Sequence, residues 1–331
     1  MFADIRRNTP YEAVEELVRV ECDIAGIDPQ PVLFGFFERV LRYAAERVSA
    51  DLRAIGRVIV VSPDRFGRAV NSIRVGAIHT NTEVVTAVGK TIARREQDHI
   101  VSDIVLHFGV FEDLAAVLAD PPYGHLTTWG IDQEEALYVI CHEFGHVQDH
   151  KVRNDDSDVP DPRAQPFSIM ATAEYYGSIV LTELAACRNS ALAVTDRLFA
   201  YHIQQARERM IAHAAWLRQY LEPGAGHSPA TRAHMACQGA WVWMTEVAKL
   251  YGSVFRHPDR EVDIRAFEAE FLSDVPLVET LTSFSAVYPR WDVPGLITEL
   301  IPTWRRYGEL ANVRFVTRDG TDEIEDLAQK G

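Results

Sequence analysis

Cysteine is scarce in this chain: Cys22, Cys141, Cys187 and Cys237 are the four among 331 residues, and no two form a C-x-x-C pair. That scatter gives no sign of a disulfide framework and suits reduced thiols in a cytoplasm. Basic residues are also in deficit, 33 Lys and Arg against 48 Asp and Glu, for a formal net charge of −15. A nucleic-acid partner is therefore not expected, because phosphate contacts need clustered Lys and Arg. Long apolar runs are missing too. No stretch approaches the roughly 18 residues that would span a bilayer, so no membrane partner is expected. The opening "MFADIRRNTPYEAVEEL" lacks the apolar core and small-residue cleavage site of a signal peptide. Together these features place the protein as soluble and cytoplasmic.

What remains is ordinary globular composition, 47% hydrophobic and 24% charged, enough to build a sizeable core. The first fifty residues read as helical. Thr9-Pro10-Tyr11-Glu12 offers a cap, a first-turn proline and a capping-box glutamate, and "VLFGFFERVLRYAAERVSADL" repeats apolar residues every three or four positions. Residues 56–110 change character. "RVIVVS", "EVVTAVGKTIA" and "HIVSDIVLHF" are short, β-branched segments separated by "HTNT" and "REQD", which predicts a small twisted sheet, with a helix near "DRFGRAVNSI". From about residue 111 the pattern is helical almost to the end. It is broken by the Asp- and Pro-rich loop 150–166 and by "EPGAGHSPATR", and it closes in a polar, frayed tail. The fold class expected is α+β, mostly helical.

The chemistry concentrates in "VICHEFGHVQDH", residues 139–150. Asp132 and Glu135 predict a capping box at the start of that helix. At ~100° per residue, His146 lies about 40° from His142, and Glu143 about 100° from it. Ile140, Phe144, Leu137, Val147 and Ala136 fall about 120° to 220° away. One face can be buried while the other turns both imidazoles to a common point, where one Zn²⁺ could take both. Glu143, on the flank, is placed as a general base rather than a ligand. Asp149 reads either as an acceptor for one histidine or as an exposed residue near the helix end. Gly145 costs helix stability and is best explained by another backbone or a ligand approaching closely. The plainer alternative is an amphipathic helix with two surface histidines.

A catalytic zinc site needs a third protein ligand. Six residues after His146 stands Val152, not the histidine of a metzincin. His150 lies on the same straight helix and cannot easily converge with the other two. Glu183 sits inside the strongly apolar "IVLTELAAC", where a carboxylate is costly unless a metal, cation or donor compensates it. It shares a helix face with Tyr176, Val180 and Cys187. Glu174, nine residues earlier, points to the opposite side. Its "ATAEYYG" departs from the aspzincin signature, and Glu183 is the preferred third ligand.

With His142, Glu143, His146 and Glu183 in "TELAA", the chain resembles the gluzincin class of zinc metallopeptidases. "HEFGH" followed by "ELAACRNSAL" looks most like its ImmA/IrrE-type branch. The resemblance implies a zincin-like core over residues 56–200, a small twisted sheet with an active-site helix beneath it. Helical parts would flank it at 1–55 and 201–331. Implied too is a zinc-dependent hydrolase cleaving peptide bonds in a peptide or protein substrate, through a zinc-activated water with Glu143 as base. The strand "DIVLHF" could pair with an extended substrate or equally be an interior strand, and Tyr175, Tyr176, His150 or His202 could add a donor. Position 187 departs from the thermolysin-like pattern, holding cysteine where that pattern has aspartate. Two other readings stand beside this one. The first is a catalytically silent zincin-fold binding or regulatory protein, with "GAWVWMTEVAKLYG" either gripping a partner or simply lying in the core. The second is a deformylase-like hydrolase, for which Cys141 lies on the wrong flank.

Overall fold

The computed structural model describes residues 2–3, 19–28, 30–74, 88–118, 126–154, 168–221, 226–272, 275–318 and 321–327. The fold is α+β and mostly helical, with a small mixed sheet. The chain divides into two compact units, one of residues 1–156 with 186–200, the other of residues 157–185 with 201–331. The expected helix start at Thr9–Glu12, the turn "HTNT" and residues 155–166 of the acidic loop lie outside the described residues.

The first unit holds a five-stranded sheet of β1 (Phe2–Ala3), β2 (Arg19–Asp23), β3 (Ile55–Val61), β4 (Gly89–Glu96) and β5 (His99–His107). Their spatial order is β1-β2-β3-β5-β4. β2, β3 and β5 run parallel, and β1 and β4 flank them antiparallel. Parallel strands covered on both faces need apolar residues at successive positions, and β3 supplies them. Val58 and Val60 join Ile104 and Leu106 in the core on one face, while Ile59 and Val61 join Val105 on the other. The first face is covered by α1 (Pro31–Val48), α3 (Phe108–Leu118) and α4 (Ile131–Arg153), the second by α2 (Phe66–Ile73).

Several expectations need correcting here. Residues 19–23, read as helical, form β2, because Val20 and Cys22 alternate into the core while β3 supplies hydrogen bonds from 38 residues away. The strand "DIVLHF" is the end of β5, an interior strand paired on both sides, so it cannot add a substrate strand. Among the described residues β1 and β4 are the two strands of this sheet with a neighbour on only one side. Asp132 does not cap α4. Gly130 holds the N-cap position with extended backbone, and Asp132 and Glu134 lie in the first turn, where acidic groups favour the positive end of the helix dipole.

The second unit is built from most of α5 (Ile169–Ser190) and α6 (Asp196–Leu221). It continues with α7 (Pro229–Ser253), α8 (Glu261–Leu272), α9 (Leu277–Val287) and α10 (Val293–Leu310). Trp243, Phe267, Phe284 and Trp304 are fully buried in it, so much of "GAWVWMTEVAKLYG" is core. Of the tail expected to fray, residues 317–318 and 321–326 lie in an antiparallel pair of β6 (Val313–Arg318) and β7 (Thr321–Asp326), and 328–331 lie outside the described residues. The polar sequence misleads because this pair is held partly by polar contacts. Asp322 Oδ2 accepts hydrogen bonds from Ile169 N at 2.9 Å and Ser168 Oγ at 3.0 Å, satisfying a donor that α5 leaves orphaned at its start. No helix among the described residues is long and apolar enough to cross a membrane.

Candidate metal centre

The stripe of α4 that the wheel placed inward is inward. Ala136, Leu137, Ile140, Phe144 and Val147 are buried in the core beneath the sheet. That anchoring turns the opposite face of the helix outward, where His142 and His146 are half-buried. Their Nε2 atoms stand 3.1 Å apart, with the rings nearly perpendicular. Two nitrogens bound to one tetrahedral zinc would be about 3.3 Å apart, given ~2.0–2.1 Å bonds. The pair is thus already at ligating separation.

The close approach expected at Gly145 is present. A β-carbon there would overlap the carbonyl oxygen of Ala186, so α5 presses against α4 with backbone touching backbone. Asn189 Nδ2 adds a 3.1 Å hydrogen bond to the Gly145 carbonyl. The division between units falls inside α5, after Ala185, but the helix is unbroken. Residues 186–190 therefore dock on α4, and the same helix carries Glu183 one turn before Cys187. One ligating atom from each of His142, His146 and Glu183 lies within 4.8 Å of the other two. Glu174, the rival acid, is exposed on the other side of α5 and is no part of this trio. Within the second unit, Lys249 Nζ stands 3.4 Å from Glu183 Oε2, so a cation offsets part of the cost of that half-buried carboxylate.

Glu143 is buried beside β4, outside the trio. Thr91 Oγ1 lies 2.7 Å from Glu143 Oε2 and 3.1 Å from the Glu143 backbone carbonyl oxygen. Gly89 makes room for the side chain, since a β-carbon there would stand 2.7 Å from Glu143 Oε1. Neither residue was singled out from sequence. A lone glycine opening a strand is the one available signal, as it marks close approach by a neighbour.

The remaining candidates separate cleanly. Asp149 is fully buried, not exposed, and its two oxygens take Arg153 Nε at 2.8 Å and Nη2 at 2.6 Å. His150 Nδ1 is 3.5 Å from Ser102 Oγ, on the flank of α4 that meets β5. Cys141 is buried against α1, Sγ to the Ala44 carbonyl at 3.7 Å, and burial pushes its thiol well above the ordinary range. It points away from any ligand position. Tyr175 and Tyr176 are buried in the second unit, Tyr176 stacked on Trp241. His202 is half-buried on α6 beside Tyr201. Cys187 and Tyr138 complete the surroundings. Cys187 Sγ is 3.5 Å from His142 Nδ1 and 3.1 Å from the Tyr138 hydroxyl.

No family model matches the chain, and neither a curated protein nor a solved structure does.

Proposed function

We propose that the chain is a zinc-dependent hydrolase of the gluzincin kind, closest to the ImmA/IrrE-type branch, and that it cleaves peptide bonds. The observation that carries this reading is the convergence of His142, His146 and Glu183 on the α4–α5 pair. Two imidazoles and one carboxylate are the donor set of a catalytic rather than a structural zinc site, because three protein ligands leave one position open. The order of parts supports it as well: a mixed sheet with an antiparallel edge strand, then the helix of both histidines, then the helix of the acid.

His142 and His146 would hold the ion through Nε2, and Glu183 would supply the third bond. When bound, zinc contributes Lewis acidity and makes water a nucleophile at neutral pH. The protein's own part is proton transfer and alignment. Glu143, with Oε2 held by Thr91, is the group that accepts a proton from the attacking water and returns it to the departing amine. An extended peptide adding to the outer side of β4 would run past Gly89 and Thr91, and so past Glu143.

One observation favours a second reading, a silent zincin-fold binding protein. Lys249 already pairs with Glu183, as it would if the acid were structural. Elemental analysis and hydrolysis of an unfolded protein substrate separate the two. The hydrolase reading expects one zinc per chain, loss of zinc in Glu183→Ala but not in Glu174→Ala, and loss of hydrolysis with retained zinc in Glu143→Gln. Wild type without zinc, or Glu143→Gln with undiminished turnover, would overturn it.

A further inference from the structure

We propose that Cys187 is a positioning residue of this centre: its sulfur accepts a hydrogen bond from His142 Nδ1–H and so selects the tautomer that presents a bare Nε2 towards His146. The inference rests on the hydrolase reading for its purpose, but its geometry stands on the first unit alone.

A neutral imidazole carries its hydrogen on one nitrogen, and the partner of that nitrogen decides what the other can do. In His142 the two nitrogens meet different neighbours. Nδ1 is 3.5 Å from Cys187 Sγ, and Nε2 is 3.1 Å from His146 Nε2. Were the sulfur to donate to Nδ1, the ring hydrogen would sit on Nε2 and occupy the lone pair that a metal needs. Were the sulfur to accept, Nε2 would stay open. The Tyr138 hydroxyl, 3.1 Å from the same sulfur, is the group that can accept the S–H in the second arrangement. Tyr138 sits one turn before His142 on α4, its ring 5.8 Å from the imidazole, so the three groups form a connected chain.

The sulfur is also held in place. Cys187 is fully buried, and the residue before it is the one whose carbonyl presses on Gly145. Asn189, two residues on, bonds the Gly145 carbonyl. The backbone on both sides of Cys187 is therefore fastened to α4. Partners of this kind fix ring orientation and raise ligand basicity at metal-binding histidines.

The test reads the tautomer directly, by long-range ¹⁵N–¹H correlation on the His142 ring of the metal-free protein, and the zinc affinity by competition with a chelating dye. Wild type is expected to show the Nδ1–H form. Cys187→Ala should lose that preference and bind zinc about 10–100-fold more weakly. Cys187→Ser, whose hydroxyl still accepts, should keep the Nδ1–H form and recover most of the affinity. Should the alanine variant fail to fold, Cys187→Val, apolar and closer in volume, takes its place. An unchanged tautomer, with affinity within twofold of wild type, would overturn the proposal. If wild type takes up no zinc, the hydrolase reading fails while the metal-free tautomer still decides the role of Cys187.

Discussion

Gly145 and Ala186 meet with backbone against backbone: a β-carbon on the glycine would overlap the Ala186 carbonyl oxygen and stand 3.0 Å from its Cα. The contact lies at the middle of the candidate centre, between His142 and His146 on α4 and beside Cys187 on α5. Gly145→Ala gains about 1 kcal/mol of helix propensity. It must also push two helices apart, and overpacking of that kind costs about 1–3 kcal/mol or more. A net loss of stability is expected, with weakened zinc binding, measurable as a lower urea midpoint and a shifted zinc titration. Gly35→Ala is the control. Its β-carbon would meet only the flexible end of Arg39 at 3.8 Å, so it should be neutral or stabilising. Equal behaviour of the two variants would show that the close approach does not constrain the helices.

Thr91 and Glu143 provide a test of the proposed proton-transfer group. The hydroxyl is 2.7 Å from Oε2 in a buried setting. Thr91→Val keeps the shape and removes the donor, which leaves a buried carboxylate without that partner at a cost of about 1–3 kcal/mol. Turnover should fall at least ~10-fold while zinc content stays at wild type, because the Thr91 hydroxyl bonds Glu143, which is not one of the three ligands. Thr91→Ser should restore most of the rate. A valine variant as active as wild type would remove Thr91 from the mechanism.

These contacts also mark how far the sequence can be read. Helix α4 was legible because its pattern is local: the spacing of Leu137, Ile140, Phe144 and Val147 specifies the buried face, and the histidines follow on the other. Gly145 was legible for the same reason, as an unfavourable residue in a good helix. Glu183 was preferred to Glu174 for its place inside the apolar "IVLTELAAC" and for the poor match of "ATAEYYG" to the aspzincin signature; since the two point to opposite sides of one helix, only one could join the pair. What escaped was non-local. β2 is five residues with charges at Arg19, Glu21 and Asp23, and it makes sense only beside β3, where Arg57 Nη1 meets the buried Glu21 at 3.2 Å. Thr91 lies 52 residues before Glu143, and no local feature marks it as a partner. The terminal strand pair was hidden by its own charges, several of which turn out to be contacts.

Asp322 is such a contact. Its carboxylate completes the start of α5, the helix that carries Glu183, by accepting from Ile169 N and Ser168 Oγ. Burial works against the charge, but hydrogen bonds from Thr317, Ser168, Ile169 and Met170 outweigh it and hold the carboxyl below its ordinary value. A carboxyl with a lowered folded pKa stabilises above its unfolded value, near 3.8, and that contribution is lost as pH falls through the folded one. Asp322→Ala should cost about 1 kcal/mol at neutral pH, as lost helix caps do. It should also flatten the acid limb below about pH 4 in a stability–pH profile. A variant with the wild-type melting temperature at neutral pH would refute the capping role.

His213 on α6 gives the second unit a pH dependence of its own. The ring is buried against Trp216, 5.3 Å between centroids, and its Nε2 has no hydrogen-bond partner among the described residues. Burial disfavours the imidazolium and pushes the pKa down from 6.5 to about 4. The unfolded chain therefore takes up this proton near pH 6.5, while the folded chain resists it until about pH 4. Stability from the neutral ring is fully present above pH 6.5 and declines as pH drops through that window. His213→Phe keeps an aromatic ring against Trp216 and removes the titration. Its unfolding free energy should fall less steeply than that of wild type between pH 6.5 and 4, so the variant gains on wild type as pH drops through that window. Denaturant titrations at half-unit pH steps would measure it. Parallel curves would mean that the folded protein accommodates a charged His213, contrary to its burial.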